Sequence, residues 1–99
     1  MNVGPKVLVT GSRGWTNAAA IARVLLSHNP SVVIHGGAHG ADDLADRWAR
    51  ATMTPTKVYR PDWDAYGKRA GIVRNEHMLL DSKPDVVIAF WVSRVAPST

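Results

Sequence analysis

Apolar residues in this chain form short β-branched runs that alternate with longer segments of helical periodicity. The runs predict four strands, at Lys6–Thr10, Ser31–His35, Thr56–Arg60 and Asp85–Phe90. The second run, SVVIH, is typical of a strand that is covered on both faces. Trp91 and the residue after it extend the fourth run. Each predicted strand is short, and enough chain separates it from the next strand to form a helix or a loop.

Three of the intervening segments predict helices. Ala41–Arg50 has the most regular stripe, with apolar residues at i, i+3, i+4, i+7 and i+8. Thr16 or Asn17 is the expected N-cap of the first helix, because both side chains accept hydrogen bonds from free backbone N–H groups. Ala70–Asp81 predicts the third helix with a less regular stripe, and Pro61–Gly67 predicts a loop.

Strands that alternate with helices predict an α/β fold with three layers and a four-stranded parallel sheet in the order 3-2-1-4. The first two helices are expected on one face of the sheet and the third on the other. We expect one domain over residues 1–99, with residues 93–99 as a frayed tail. Ligands of such sheets bind at the carboxyl ends of the strands where the strand order reverses, here between strands one and four.

Two glycine turns follow predicted strands at this edge, Gly11–Trp15 and Gly36–Gly40. A turn of this kind, opening a helix, aims N–H groups and a positive dipole at one point, which favours a phosphorylated, nucleotide-like ligand. The alternative is a tight turn without a ligand. Residues expected to contact the ligand are Gly11, Ser12, Arg13, Gly36, Gly37, Ala38, Gly40, Asp42, Arg74 and Asn75.

Some of these residues have a second interpretation. Asp42 lies in the first turn of its helix, where the helix dipole stabilises a carboxylate, which gives it a structural role. The alternative is that it binds a ribose hydroxyl. Trp63 and Tyr66 present flat rings that stack on a base, but packing in the small core is the favoured interpretation.

The composition and charge of the chain limit the kinds of site and partner that it can have. The 99 residues are 45% hydrophobic, carry a net charge of +4 and include no cysteine, which excludes disulfides and cysteine-based zinc sites. The basic residues are scattered, whereas a nucleic-acid binder more often shows a dense stripe, so a nucleic-acid partner is compatible but not favoured. The histidine spacing suggests no metal site, and no separate cofactor is predicted. No apolar stretch approaches the roughly 20 residues of a membrane span, and a cytoplasmic location is expected.

The segments VLVTGSRGW, VIHGGAHGADDLADRWA, DWDAYGKRAGIVRNEHML and KPDVVIAF, in this order, resemble the SLOG superfamily of small Rossmann-like proteins, and within it the YspA-related (DUF2493) group. The resemblance covers residues 5–90. It implies a Rossmann-like fold and a nucleotide-derived ligand. The superfamily includes cytokinin-activating phosphoribohydrolases and the DNA-processing protein DprA. Because Arg74 matches the catalytic arginine of the phosphoribohydrolases' RKxxM stretch, the resemblance implies that it contacts a ribose or phosphate, and that it acts in catalysis if the protein is an enzyme.

The family's DxVIAF strand is usually followed by a PGGxGT turn and a further helix, and in the phosphoribohydrolases a catalytic glutamate lies just beyond that turn. Here Trp91–Thr99 follows instead. The pattern therefore favours ligand binding without turnover. It also predicts that Val86, Ile88 or their neighbours are left uncovered, and hence a homo-oligomer, dimer or larger. The alternatives are a phosphoribohydrolase-like N-glycosidic hydrolase, a nucleic-acid binder and a purely oligomeric interaction protein.

Overall fold

A parallel sheet forms the middle layer of the computed structural model, which describes residues 3–92. Its strands are β1 Lys6–Gly11, β2 Val32–His35, β3 Thr56–Val58 and β4 Val86–Phe90. The sheet has four strands in the order β3-β2-β1-β4, which confirms the predicted order and the α/β class. The tail predicted at residues 93–99 lies outside the described residues.

Helices connect the strands. They are α1 Ala18–His28, α2 Ala41–Ala51, α3 Trp63–Tyr66 and α4 Ala70–Ser82, with a 3-10 turn at Gly67–Arg69 between the last two. Asn17 caps α1, because its side chain accepts from the N–H of Ala20 at 3.0 Å. The prediction of a plain loop before α4 was wrong. Asp62 accepts from the N–H of Ala65 at 3.0 Å and so caps α3, which is too short to leave a periodic pattern.

Successive residues of β1 point to opposite faces of the sheet and so belong to different apolar layers. Val7 and Val9 pack in a cluster with residues of α1 and α2. Leu8, between them, packs with Ile34 and with Met78 of α4. The first two helices therefore cover one face and α4 covers the other, as predicted.

Strand β4 pairs with β1 on one side only, so it lies at the edge of the sheet. Two hydrogen bonds between Lys6 and Asp85 hold the two strands together where they begin. The N–H of Lys6 donates to the Asp85 carboxylate at 2.8 Å, and the N–H of Asp85 donates to the Lys6 carbonyl at 2.8 Å. The prediction that Val86, Ile88 or their neighbours are uncovered holds for a neighbour only, since Val86 and Ile88 themselves pack partly buried against the α1–α2 side. Their neighbour Val87 faces the other way and is 53% exposed.

Candidate functional site

The two glycine turns lie side by side at the carboxyl edge of the sheet, and Ser12 joins them. Its carbonyl oxygen accepts from the N–H of Ala41 at 3.3 Å, which links the first turn to the start of α2. Its N–H donates to the Phe90 carbonyl at 2.8 Å, and its hydroxyl accepts from the N–H of Val92 at 2.9 Å. Ser12 therefore ties the first turn to both neighbouring elements.

A buried carboxylate holds the second turn in place by accepting hydrogen bonds from its backbone. Asp42 is 6% exposed, and its Oδ2 atom accepts from the N–H groups of Gly36 at 3.0 Å and Ala38 at 3.3 Å. The N–H of Gly37 donates to Nδ1 of His35 at 3.0 Å. Three N–H groups of the turn are thus used within the protein. These three N–H groups are therefore not available to a bound anion.

His35 extends this network into the helix layer. Its ring is 3% exposed, and because Nδ1 accepts from Gly37, the hydrogen-bond pattern assigns the ring proton to Nε2. Nε2 donates to the Asp46 carboxylate at 2.8 Å, and Nε of Arg50 donates to the same carboxylate at 2.6 Å. Partial burial acts to raise the pKa of Asp46, but the hydrogen bonds from Arg50 and His35 hold it below its ordinary value.

Three arginines converge beside the second turn and form a cleft of about 420 Å³, here called the arginine cleft. Its lining residues are Arg13, Gly36, Gly37, Ala38, His39, Arg60, Pro61, Trp63 and Arg74. Within residues 3–92, none of the three guanidinium groups forms an ion pair with a carboxylate. The cleft is therefore strongly cationic.

Arg74 is held against the backbone at the ends of two strands. Its Nη1 group donates to the carbonyl oxygen of Gly36 and, at 3.3 Å, to that of Tyr59. Its Nε group donates to Oδ1 of Asn75 at 2.8 Å. A Cβ atom on Gly36 would lie 2.7 Å from the Arg74 Cζ atom. Glycine at position 36 therefore makes room for the guanidinium group.

Arg60 occupies the equivalent place over the next glycine. A Cβ atom on Gly37 would lie 2.7 Å from Nη1 of Arg60, and Gly37 has a φ of +72°, which also favours glycine. Sequence reasoning did not select Arg60 as a site residue. The available signal was its position at the end of the predicted third strand, which brings it to the same edge as the glycine turns.

The other predicted site residues are distributed around this cleft. Gly11 and Ser12 line a separate cleft of about 650 Å³ between the ends of β1 and β4, and Arg13 lines both clefts. Gly40 lies against the first turn. Asn75 lines a smaller cleft on the β4 side of α4 and not the arginine cleft, which it reaches only through its hydrogen bond with Arg74.

The two aromatic residues of α3 are not part of the core. Trp63 is 53% exposed and borders the arginine cleft, whereas Tyr66 is 52% exposed and borders a neighbouring cleft of about 290 Å³. The favoured interpretation that they complete the core was therefore wrong. Capping by Asp62 turns this segment into a surface helix that presents both rings to solvent.

Two further findings concern residues 3–92. In that part of the chain no cluster of three or more histidine and carboxylate side chains is placed to hold a metal ion. No helix there has both the length and the apolar character needed to cross a membrane.

Comparison with known proteins agrees with this geometry. The family model described as the YspA, cpYpsA-related SLOG family matches residues 5–66, which include both glycine turns and α3. The chain is 42% identical over 100 aligned positions to the Gene 61 protein of Mycobacterium phage D29, covering 90% of this chain and 78% of that protein. No solved structure matches the chain. SLOG membership indicates a fold that binds nucleotide-related ligands, and the name of the phage relative specifies no activity. The family model covers most of the chain, and the chain folds into a parallel sheet with both glycine turns at its carboxyl edge. This protein therefore belongs to the YspA, cpYpsA-related SLOG family.

Proposed function

We propose that this protein binds a nucleotide or nucleotide-derived ligand, with the phosphate held in the arginine cleft. The observation that carries the proposal is the convergence of Arg13, Arg60 and Arg74 in one cleft without a carboxylate partner among residues 3–92. Cations held close together repel one another, and a bound phosphate removes that repulsion. Guanidinium groups also match phosphate oxygens in geometry and form charge-assisted hydrogen bonds with them.

The three arginines have different roles in this proposal. Arg13 and Arg60 are exposed side chains that close on the phosphate from the first turn and from the end of β3. Arg74 is half-buried and already bound to two backbone carbonyls, so it acts as a fixed cation that orients the ligand. Trp63 supplies an apolar wall to the same cleft.

Binding without turnover is the form of the proposal that the cleft supports. Hydrolysis of an N-glycosidic bond passes through a transition state with positive charge on the sugar, and a nearby carboxylate stabilises that charge. Among the described residues that line the arginine cleft there is no carboxylate. Asp42, the acid nearest in sequence to the second turn, is buried and bound to that turn. Asp62, between Pro61 and Trp63, lines the neighbouring cleft of about 290 Å³ instead.

Calorimetric titration with nucleosides and their mono-, di- and triphosphates tests this function. We expect the phosphorylated compounds to bind and the free nucleosides not to bind. Failure of every phosphorylated compound to bind would contradict the proposal. Chromatography of the same mixtures for released base tests the hydrolase alternative. Titration with a DNA oligonucleotide at several salt concentrations tests the nucleic-acid alternative, which predicts that log K falls steeply with log salt.

A second proposal concerns assembly. The β4 edge of the described sheet presents Val87, and the adjacent face of α4 presents Leu79, which is 47% exposed. An uncharged strand at a sheet edge is suited to pairing with another strand. We propose that a second copy of this chain covers this surface, because a two-fold axis places identical uncharged strands side by side.

A further inference from the structure

A second cleft shares two of the three arginines with the arginine cleft. It encloses about 290 Å³ between α3 and α4, and Arg60 and Arg74 lie on the border between the two clefts. We call it the α3–α4 cleft. A ligand bound to both arginines at the border therefore has space on either side, and the two spaces differ in chemistry.

The α3–α4 cleft suits a flat ring. Buried Ala70 and half-buried Val73 of α4 provide an apolar wall, and half-exposed Tyr66 also lines the cleft. The ring of His77 also borders the cleft, and it is held edge-on against Tyr59 with 5.4 Å between ring centroids. Aromatic and apolar walls of this kind stack on a nucleobase, whichever base it is.

Charge distinguishes the two clefts. The arginine cleft is lined by three guanidinium groups and by no carboxylate of the described residues, whereas the α3–α4 cleft contains the carboxylate of Asp62. A phosphate placed in the α3–α4 cleft would meet that negative charge. The phosphate therefore belongs in the arginine cleft, and the other end of the ligand belongs in the α3–α4 cleft.

Asp62 is oriented for recognition of a donor. Its Oδ1 atom accepts from the N–H of Ala65 at 3.0 Å, which fixes the carboxylate at the start of α3. Among residues 3–92, no group donates to its Oδ2 atom. A carboxylate oxygen accepts hydrogen bonds only, so it selects a base that offers N–H donors.

We propose that the α3–α4 cleft binds the base of the nucleotide, and that Asp62 selects bases with an exocyclic amino group. This inference rests on the proposed function, since it assumes a phosphate in the arginine cleft. It assigns one end of the ligand to each cleft and places the ribose at the border between the two clefts.

Calorimetric titration with GMP, IMP and ribose 5-phosphate tests the inference, since GMP and IMP differ only in the exocyclic 2-amino group. We expect GMP to bind about tenfold more tightly than IMP, the ratio expected for one hydrogen bond to a charged group. Asp62→Asn keeps an oxygen that can cap α3 but replaces the free acceptor with a donor, so the preference for GMP should disappear. Asp64→Asn, in the same helix but outside both clefts, is the matched control and should leave the preference unchanged.

Tyr66→Ala tests the stacking surface separately. It should weaken GMP binding several-fold and leave ribose 5-phosphate binding unchanged, because the sugar phosphate has no base to stack. Equal affinity of the wild-type protein for GMP and IMP would overturn the assignment of Asp62. Equal affinity for GMP and ribose 5-phosphate, unaffected by Tyr66→Ala, would overturn the base site while leaving the phosphate site intact. Absence of binding by these three compounds and by every phosphorylated compound of the first titration would overturn the proposed function itself.

Discussion

The guanidinium group of Arg74 on α4 is bound to the carbonyl oxygen of Gly36 at the end of β2, and it fits there because Gly36 has no side chain. The same group reaches the carbonyl of Tyr59 beyond the end of β3. One side chain thus joins the ends of two neighbouring strands to the helix that covers them. It also adds a fixed positive charge to the cleft.

A double-mutant cycle of Gly36→Ala and Arg74→Ala measures this relationship. Gly36→Ala should lower the free energy of unfolding, because the new Cβ atom displaces the guanidinium group from its carbonyl partners. In the Arg74→Ala background the same substitution should cost less, with a coupling energy of about 1 kcal/mol. Urea unfolding of the four proteins gives the values. Additive effects would show that the two residues do not interact energetically.

Arg60→Ala should weaken binding of a nucleoside monophosphate while leaving the fold intact. Arg60 is exposed and forms no ion pair within residues 3–92, so its loss should hardly change the melting temperature. Loss of a hydrogen bond to a charged group, worth about 1.5–3 kcal/mol, corresponds to roughly 10- to 100-fold weaker binding. Calorimetric titration measures the effect.

Arg23→Ala is the matched control for this experiment, because it removes an exposed arginine from α1, on the other face of the sheet. It carries the same change in net charge. If the two variants weakened binding equally, the effect would come from net charge and not from the cleft.

The carboxylate of Asp46 should make stability depend on pH in the acid range. Burial acts to raise the pKa of Asp46 and the hydrogen bonds from Arg50 and His35 lower it, with a net value below the ordinary 3.8. Because the pKa is lower in the folded state, ionised Asp46 stabilises the fold fully above about pH 4, and this stabilisation is lost as the pH falls through the folded pKa.

Urea unfolding of the wild type and Asp46→Asn between pH 2 and 7 tests this dependence. The variant should be less stable by about 1 kcal/mol at neutral pH, and the difference should shrink on acidification. The pKa of Asp81 is also lowered, by hydrogen bonds from Tyr59 and Lys57, so the wild type loses further stability in the same range. Only the difference between the two proteins reports Asp46. A difference that stays constant with pH would contradict the prediction.

Val87→Lys should prevent self-association through the β4 edge. The substitution places a charge on the exposed strand, where a second copy would pair, and it costs little stability because Val87 is 53% exposed. Sedimentation equilibrium should show an oligomer for the wild type and a monomer for the variant. Met53→Lys makes the same kind of change, from an apolar to a charged residue, at a position that is 92% exposed and lies away from β4. It should leave the oligomer intact. A monomeric wild type would contradict the assembly proposal.

The strands and their order could be predicted because runs such as VVIH and VVIAF leave few other ways to bury their residues. The spacing in Ala41–Ala51 likewise determined the buried face of α2. The short helix α3 could not be predicted, since four residues do not show a helical period. The capping position of Asp62 was the only local sign of this helix. A loop was predicted there instead, and packing in the core was the favoured interpretation for Trp63 and Tyr66.

The site was less predictable than the fold because a pattern does not show where donors point. The glycine turn suggested free N–H groups, yet buried Asp42 takes up two of them. Arg60 looked like any other arginine at the end of a strand. Its relation to Gly37 becomes visible only when the strand ends are placed side by side.

The position of β4 at the edge of the sheet has a consequence for biosynthesis. The described residues that line the arginine cleft all lie between Arg13 and Arg74, so every one of them leaves the ribosome before the first residue of β4. The β1–β4 pairing spans almost the whole chain, as the Lys6–Asp85 bond shows, and such distant contacts form late. The segment that precedes β4 therefore supplies every described residue of the arginine cleft, and β4 completes the sheet without adding a residue to that cleft.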